Sequence, residues 1–394
     1  MGDSELRSTL KTFKKVFPLA TLWFSNESDI IMIGATEKLD YVRRLYSREI
    51  GGDTWKDLRR VFIDEREDIL SALLLDEEAF DRYVKTAPDV HTDDNMMLEY
   101  SAGKKIFEST HITHLKNFLG EMKIAPVLAV DPSLENELKR RVAARRLVMS
   151  GTVELLSGNS RRGIELYDKA YSLAPDDPYV LTKYTLTHTK IADRLALEGD
   201  LEGARVHYVK ALADSTSTEA WKRYDGLGVY YYVKGDTDSA RFYFEKVLSL
   251  NRHNIPARIT LAEIASQAGD TASAIRLYEE AYELSQQDPG VANALAWTYA
   301  EAGVNLERAL ELAHLATSKK ESGSYYDTLG WVYFKMGKLG KAKDALWHAF
   351  QLEPKSLAIK YHLGLVLVRK GEIERGKEIL KEIASAGKEF SEEA

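Results

Sequence analysis

The chain repeats itself, and the repeat length limits what it can fold into. "YDGLGVYYYVKGDTDSARFYFEKVLSLN" (224–251) aligns with "YDTLGWVYFKMGKLGKAKDALWHAFQLEP" (326–354) and with "YHLGLVLVRKGEIERGKEILKEIA" (361–384). The pairs Leu227-Gly228, Leu329-Gly330 and Leu363-Gly364 lie on a 34-residue period. A unit this short cannot bury its own apolar face, so the units must stack side by side and share one core. Seven units are expected, beginning near 144, 185, 221, 255, 289, 323 and 357.

Each unit reads as two helices. Its eighth residue is small (Gly151, Ala192, Gly228, Ala262, Ala296, Gly330, Gly364), and so is its twentieth (Gly163, Ala204, Ala240, Ala274, Ala309, Ala342, Gly376). Small residues at both places let the two helices cross closely. A bulky residue four positions further on fills the remaining space (Tyr167, Tyr208, Phe244, Tyr278, Leu346, Leu380). Gly235, Gly269, Gly303, Gly337 and Gly371 fall where a left-handed residue ends the first helix. Unit two is out of phase by seven residues, which predicts a longer first helix, and unit five carries one extra residue at "GVNLERA". The pattern resembles the tetratricopeptide repeat and implies a mainly α fold, an α-solenoid of about seven helix pairs over residues 144–390.

The resemblance implies a groove lined by first helices. Its candidate peptide-binding residues are Tyr232, Gln267, Asn293, Trp297, Asp327, Trp331, Phe334 and Tyr361. Trp297 and Trp331 are one period apart and should be neighbours on one face. Large aromatics there either anchor a peptide or pack between adjacent first helices. Members that hold a C-terminal carboxylate do so with Lys at the fifth position and Asn or Arg at the ninth. Here those pairs are Val148/Thr152, Thr189/Asp193, Asp225/Val229, Ile259/Glu263, Asn293/Trp297, Asp327/Trp331 and Tyr361/Leu365, so no such clamp is expected.

The first hundred residues have another texture. "SELRSTLKTFKKVF" has helical spacing, "LATLWFS" and "DIIMIGA" are β-rich runs around the turn-like "NESD", and further helical runs follow, "REDILSALLLDEEAFDRYV" among them. Then comes "HTDDNMMLEY" (91–100). This order resembles the C-terminal end of spermidine-synthase-like proteins, the last part of a Rossmann-like methyltransferase/spermidine synthase fold, over residues 1–104. The family segment N-T-D-D-x-P-x-x-E-[FY] matches at Thr92, Asp93, Asp94 and Glu99, and departs at His91 and Met96. Bacterial members are often fused to tetratricopeptide repeats, some with a membrane segment upstream. The resemblance thus implies an aminopropyltransferase-like remnant, with a possible upstream-encoded catalytic or membrane partner.

Such enzymes need a glycine-rich loop between a strand and a helix. "EIGGDTW" (49–55) follows a helical run instead and reads as a helix cap. His111 and His114 have no third metal ligand near in sequence. No catalysis is expected of the chain as it stands, and no cofactor. Residues 105–143 read as a helical connector, with a helix starting near Ser133. The chain has no cysteine, and its net charge of −7 disfavours a nucleic-acid partner. Without an apolar leader or a long apolar run, no membrane span is expected and a cytoplasmic location is. Two functions follow: a scaffold that binds a protein or peptide in the repeat groove, or a fragment of a polyamine-synthesising enzyme whose nucleoside-binding half lies upstream.

Overall fold

The computed structural model describes residues 3–24, 30–36, 73–75, 77–87, 132–215 and 217–392, with isolated positions at 52, 69 and 117. His91, Thr92, Asp93, Asp94, Glu99, His111, His114 and the "EIGGDTW" turn's flanking residues lie outside the described residues. Two compact units emerge: Met1–Glu198 with Val209–Ser215, and Gly199–Tyr208 with Thr216–Ala394.

The first unit opens with α1 (Asp3–Val16), β1 (Leu19–Phe24) and β2 (Ile30–Ala35). β1 and β2 form the expected antiparallel pair, with Leu19 opposite Ala35 and Phe24 opposite Ile30. A third strand, β3 (Leu73–Leu75), pairs antiparallel on the other edge of β1, giving the order β2-β1-β3. This corrects the helical reading of "REDILSALLLDEEAFDRYV": its apolar run enters the sheet, and only α2 (Glu77–Val84) is helical beyond it. A central strand must be apolar on both faces. Ala20 and Leu22 are fully buried under Leu10 of α1 and Phe80 and Tyr83 of α2, while Thr21 and Trp23 are buried on the opposite face. The same cluster includes Met149 and Val153, so the sheet segment shares a core with the helix that carries them.

That helix is α3 (Pro132–Leu156), followed by α4 (Ser160–Leu173) and α5 (Pro178–Leu197). The start of α5 is fixed by local chemistry. Asp177 accepts from the Val180 amide at 3.0 Å, and Pro178 occupies the first turn, where its missing N–H costs nothing. Arg145 of α3 donates to the fully buried Asp177 at 2.7 Å, and Arg140 grips Asp176 with two bonds of 2.5 and 2.7 Å. Arg140 holds the Asp176 carboxyl down to about 2. The second unit of the repeat therefore begins at Pro178, not near 185, and its first helix is the long one expected, 20 residues.

After α6 (Leu201–Ala211) and a short 3-10 turn come five regular hairpins. They are α7 (Ala220–Val233) with α8 (Thr237–Leu250), α9 (Ile255–Gln267) with α10 (Thr271–Leu284), and α11 (Pro289–Ala302) with α12 (Leu306–Lys319). α13 (Gly323–Lys335) with α14 (Leu339–Leu352), and α15 (Leu357–Lys370) with α16 (Ile373–Glu392), complete the set. Each tight turn is a local device. Gly269 takes φ +77°, ending α9, and Asp270 then accepts from the Ser273 amide at 3.1 Å, opening α10. The helices of a hairpin touch at the small residues: a Cβ on Gly330 would stand 2.5 Å from Leu346. Alanines and leucines from all these crossings join in one buried cluster running from Ala240 to Leu367. Every extensive helix–helix contact in this unit is between sequence neighbours or between helices next but one.

Candidate functional site

First helices of successive hairpins lie side by side, which α11, α13 and α15 do through direct contact. Residues one period apart then form rows across them. Trp297 and Trp331 stack at 6.0 Å between ring centroids, tilted by 21°. Phe334 lies 4.9 Å from Trp331, and His362 lies 4.5 Å from Trp331 and 5.4 Å from Trp297. Tyr361 ends the strip, 5.7 Å from His362 and 47% exposed.

The polar groups of this strip are mostly engaged with one another. His362 Nδ1 meets Asp327 Oδ1 at 2.8 Å, with both residues buried. Trp331 donates from its indole to Glu301 at 2.5 Å, and Lys335 pairs with the same carboxylate at 3.2 Å while lying over the Trp331 ring. Trp331 is only 8% exposed and belongs to the main core cluster. Asn293 differs: its buried side-chain oxygen has no hydrogen-bond partner among the described residues. It stands one turn before Trp297, on the same face of α11.

Six of the eight candidate residues thus sit on α11, α13 and α15. Tyr232 and Gln267 form another group on α7 and α9, where the Tyr232 hydroxyl donates to Glu263 at 2.9 Å. Burial first, and then the Glu263 bond, push the Tyr232 hydroxyl above its ordinary value. Nearby on α7, burial pushes the Asp225 carboxyl up, while Val229 and Val233 are exposed at 42% and 61%. Sequence reasoning missed His362. The signal was its spacing of one period plus one residue from Asp327, which sets an imidazole beside a carboxylate on the neighbouring first helix. With unit two starting at Pro178, its fifth and ninth residues become Thr182 and Leu186, so the carboxylate clamp is still missing at those positions. Among the described residues no cluster of His, Cys, Asp or Glu could hold a metal ion, and no helix is long and apolar enough to cross a membrane.

Set beside known proteins, the residues 222–254, 255–288 and 323–356 each match the tetratricopeptide repeat family model. These are three of the hairpins just described. The chain carries tetratricopeptide repeats. Among curated proteins it is similar to a TPR repeat-containing protein of Methanocaldococcus jannaschii, 25% identical over 54% of this chain and 32% of the relative. The BBSome complex member BBS4 of Bos taurus is likewise 25% identical, over 54% of this chain and 45% of that one. The chain spans less than half the length of either curated relative. Among solved structures, YrrB, a TPR protein with an unusual peptide-binding site, aligns at 23% identity over 50% of this chain and 96% of its own, with a TM-score of 0.42. A tetratricopeptide repeat protein of Parabacteroides merdae aligns at 18% identity over 62% of this chain and 93% of its own, with a TM-score of 0.41.

Proposed function

We propose that the chain is a protein-interaction scaffold whose first-helix face on α11, α13 and α15 holds a peptide segment of a partner protein. The observation that carries this reading is the aromatic strip, which ends in the exposed Tyr361 and has Trp297 and Phe334 partly open beside it. Partly exposed aromatics on a rigid helical face offer large contact area at small entropic cost. Asp327 and Trp331 contribute from beneath, by fixing His362 and the ring stack. The test is capture from an array of random decapeptides by the full chain, repeated with Tyr361→Ala and Asn293→Ala. Retained peptides should lose about 2 kcal/mol of affinity with Tyr361→Ala, as anchors do, while the melting temperature stays put. Unchanged retention by both variants would remove the strip as the site.

A second reading has its own observation. β2 is an edge strand of the described sheet, so its outer edge is where a further strand from another polypeptide would add. On this reading residues 1–104 are the aminopropyltransferase-like end of an enzyme whose nucleoside-binding half lies upstream. Assaying decarboxylated S-adenosylmethionine with putrescine, using the chain alone and with the product of the upstream gene, tests it. Turnover only in the mixture supports the reading, and none in either sinks it.

A further inference from the structure

The first unit holds a cleft that the aromatic strip does not involve. It has a volume of about 320 Å³, in the range of ligand sites, and lies among the C-terminal end of α3, the start of α4 and the outer half of α5. Six of its lining residues, from Lys183 to Arg194, come from α5. The bonds of Arg145 and Arg140 to Asp177 and Asp176 fasten α5 to α3 at one end. The regular first helices α7, α11 and α15 are 14 residues long and α5 is 20, so six more residues run on before it ends at Leu197.

Apolar side chains make the floor. Leu155 and Leu156 come from α3, Ile164 from α4, and Leu186 and Ile191 from α5. Leu156 and Leu186 are 52% and 43% exposed, so this surface faces water. The rim has one sign of charge. Lys183, Lys190 and Arg194 line the cleft and no Asp or Glu does. Lys190 has no ion-pair partner among the described residues, and Arg194 has only a loose, exposed contact with Glu198 at 3.7 Å. Arg161 and Arg162, next to the lining residue Ser160, share the single Glu165. In a chain of net charge −7, a local cationic excess over an exposed apolar floor is complementary to one chemistry.

We propose that this cleft binds an acidic, leucine-rich or phenylalanine-rich peptide segment of a partner protein, apolar side chains down on Leu156 and Leu186 and carboxylates on Lys190 and Arg194. The site is separate from the aromatic strip and does not depend on it. The mode differs from a clamp on a C-terminal carboxylate, since the cations lie outside the fifth and ninth positions and the apolar floor supplies half of the contact.

Fluorescent hexapeptides of two leucines and four glutamates, in all orders, are titrated into the full chain by anisotropy. Two control sets replace the glutamates with lysine or the leucines with serine. The best acidic-apolar peptides should bind about tenfold tighter than either control set, with affinity falling as salt is raised. Lys190→Glu combined with Arg194→Glu should abolish the preference. Both residues are exposed, so an unchanged thermal melt will show that the fold survives. Leu186→Asn should weaken binding at every salt concentration, and Trp297→Ala should leave it unchanged. Equal binding of acidic and lysine peptides, or a preference that survives the double charge reversal, overturns the proposal. So does binding of anionic phospholipid vesicles with no peptide binding, which would make the occupant a lipid surface.

Discussion

The aromatic strip of the second unit rests on first helices and the cleft of the first unit on first helices and α4, and the two are opposite kinds of surface. In the strip, Trp331 donates to Glu301, Lys335 answers the same carboxylate, and His362 meets Asp327. Its polar groups are largely satisfied within the protein, and its rings are half core. In the cleft, Lys190 and Arg194 face water over exposed leucines. The difference comes from phase. Where successive first helices keep one length, equivalent residues meet and fill each other's needs. Along α5, Lys190 has no ion-pair partner among the described residues and Leu186 is 43% exposed, so both charge and apolar surface stay available to a ligand.

The largest expected effect tests whether the strip is core. Trp331→Ala should cost about 3–5 kcal/mol of stability in chemical denaturation, as buried aromatic truncations do, and a cost below about 1 kcal/mol would return Trp331 to the ligand-facing set. Next, Asp177→Ala should cost about 3 kcal/mol, because it removes the buried carboxylate partner of Arg145 and the cap of α5. It should also loosen the cleft, which hydrogen exchange along α5 will report.

Asp225→Asn acts in the opposite direction. A carboxyl raised by burial costs stability while ionised, so the variant should melt higher at neutral pH. The gain should fade as pH drops through the carboxylate range, since the native group then takes up its proton anyway. The smallest effect is Asp176→Asn. Its folded value of about 2 lies below the ordinary 3.8, so its contribution is present above 3.8 and lost as pH falls toward 2. The pair is part-exposed, with side chains at 31% and 48%, so about 1 kcal/mol or less is expected at neutral pH.

The hairpins were legible because each carries its own punctuation. Gly235-Asp236 and Gly269-Asp270 name the end of one helix and the start of the next without help from the rest of the chain. The start of α5 was written just as locally, in Asp177-Pro178, but counting by period from glycines and alanines overrode it. That count placed the start of the helix seven residues late. β3 was not legible at all: three leucines inside a longer apolar run suit either structure, and only the open edge of β1 decides between them. Pairing of Trp297 with Trp331 followed from the period. The burial of Trp331 did not, since it depends on His362 and Phe334 closing in from two helices.

The neighbour-only packing of the second unit also has a mechanical consequence. Its tight turns at Gly235, Gly269, Gly337 and Gly371 are closed by bonds within a few residues, and no hairpin leans on one far along the chain. A load applied along this unit is therefore carried in series, like links rather than like a block. Under tension it should yield one hairpin at a time, each release paying out about 100 Å of chain at roughly 3.5 Å per residue, so that the unit gives way gradually and can recoil from whichever hairpins remain intact.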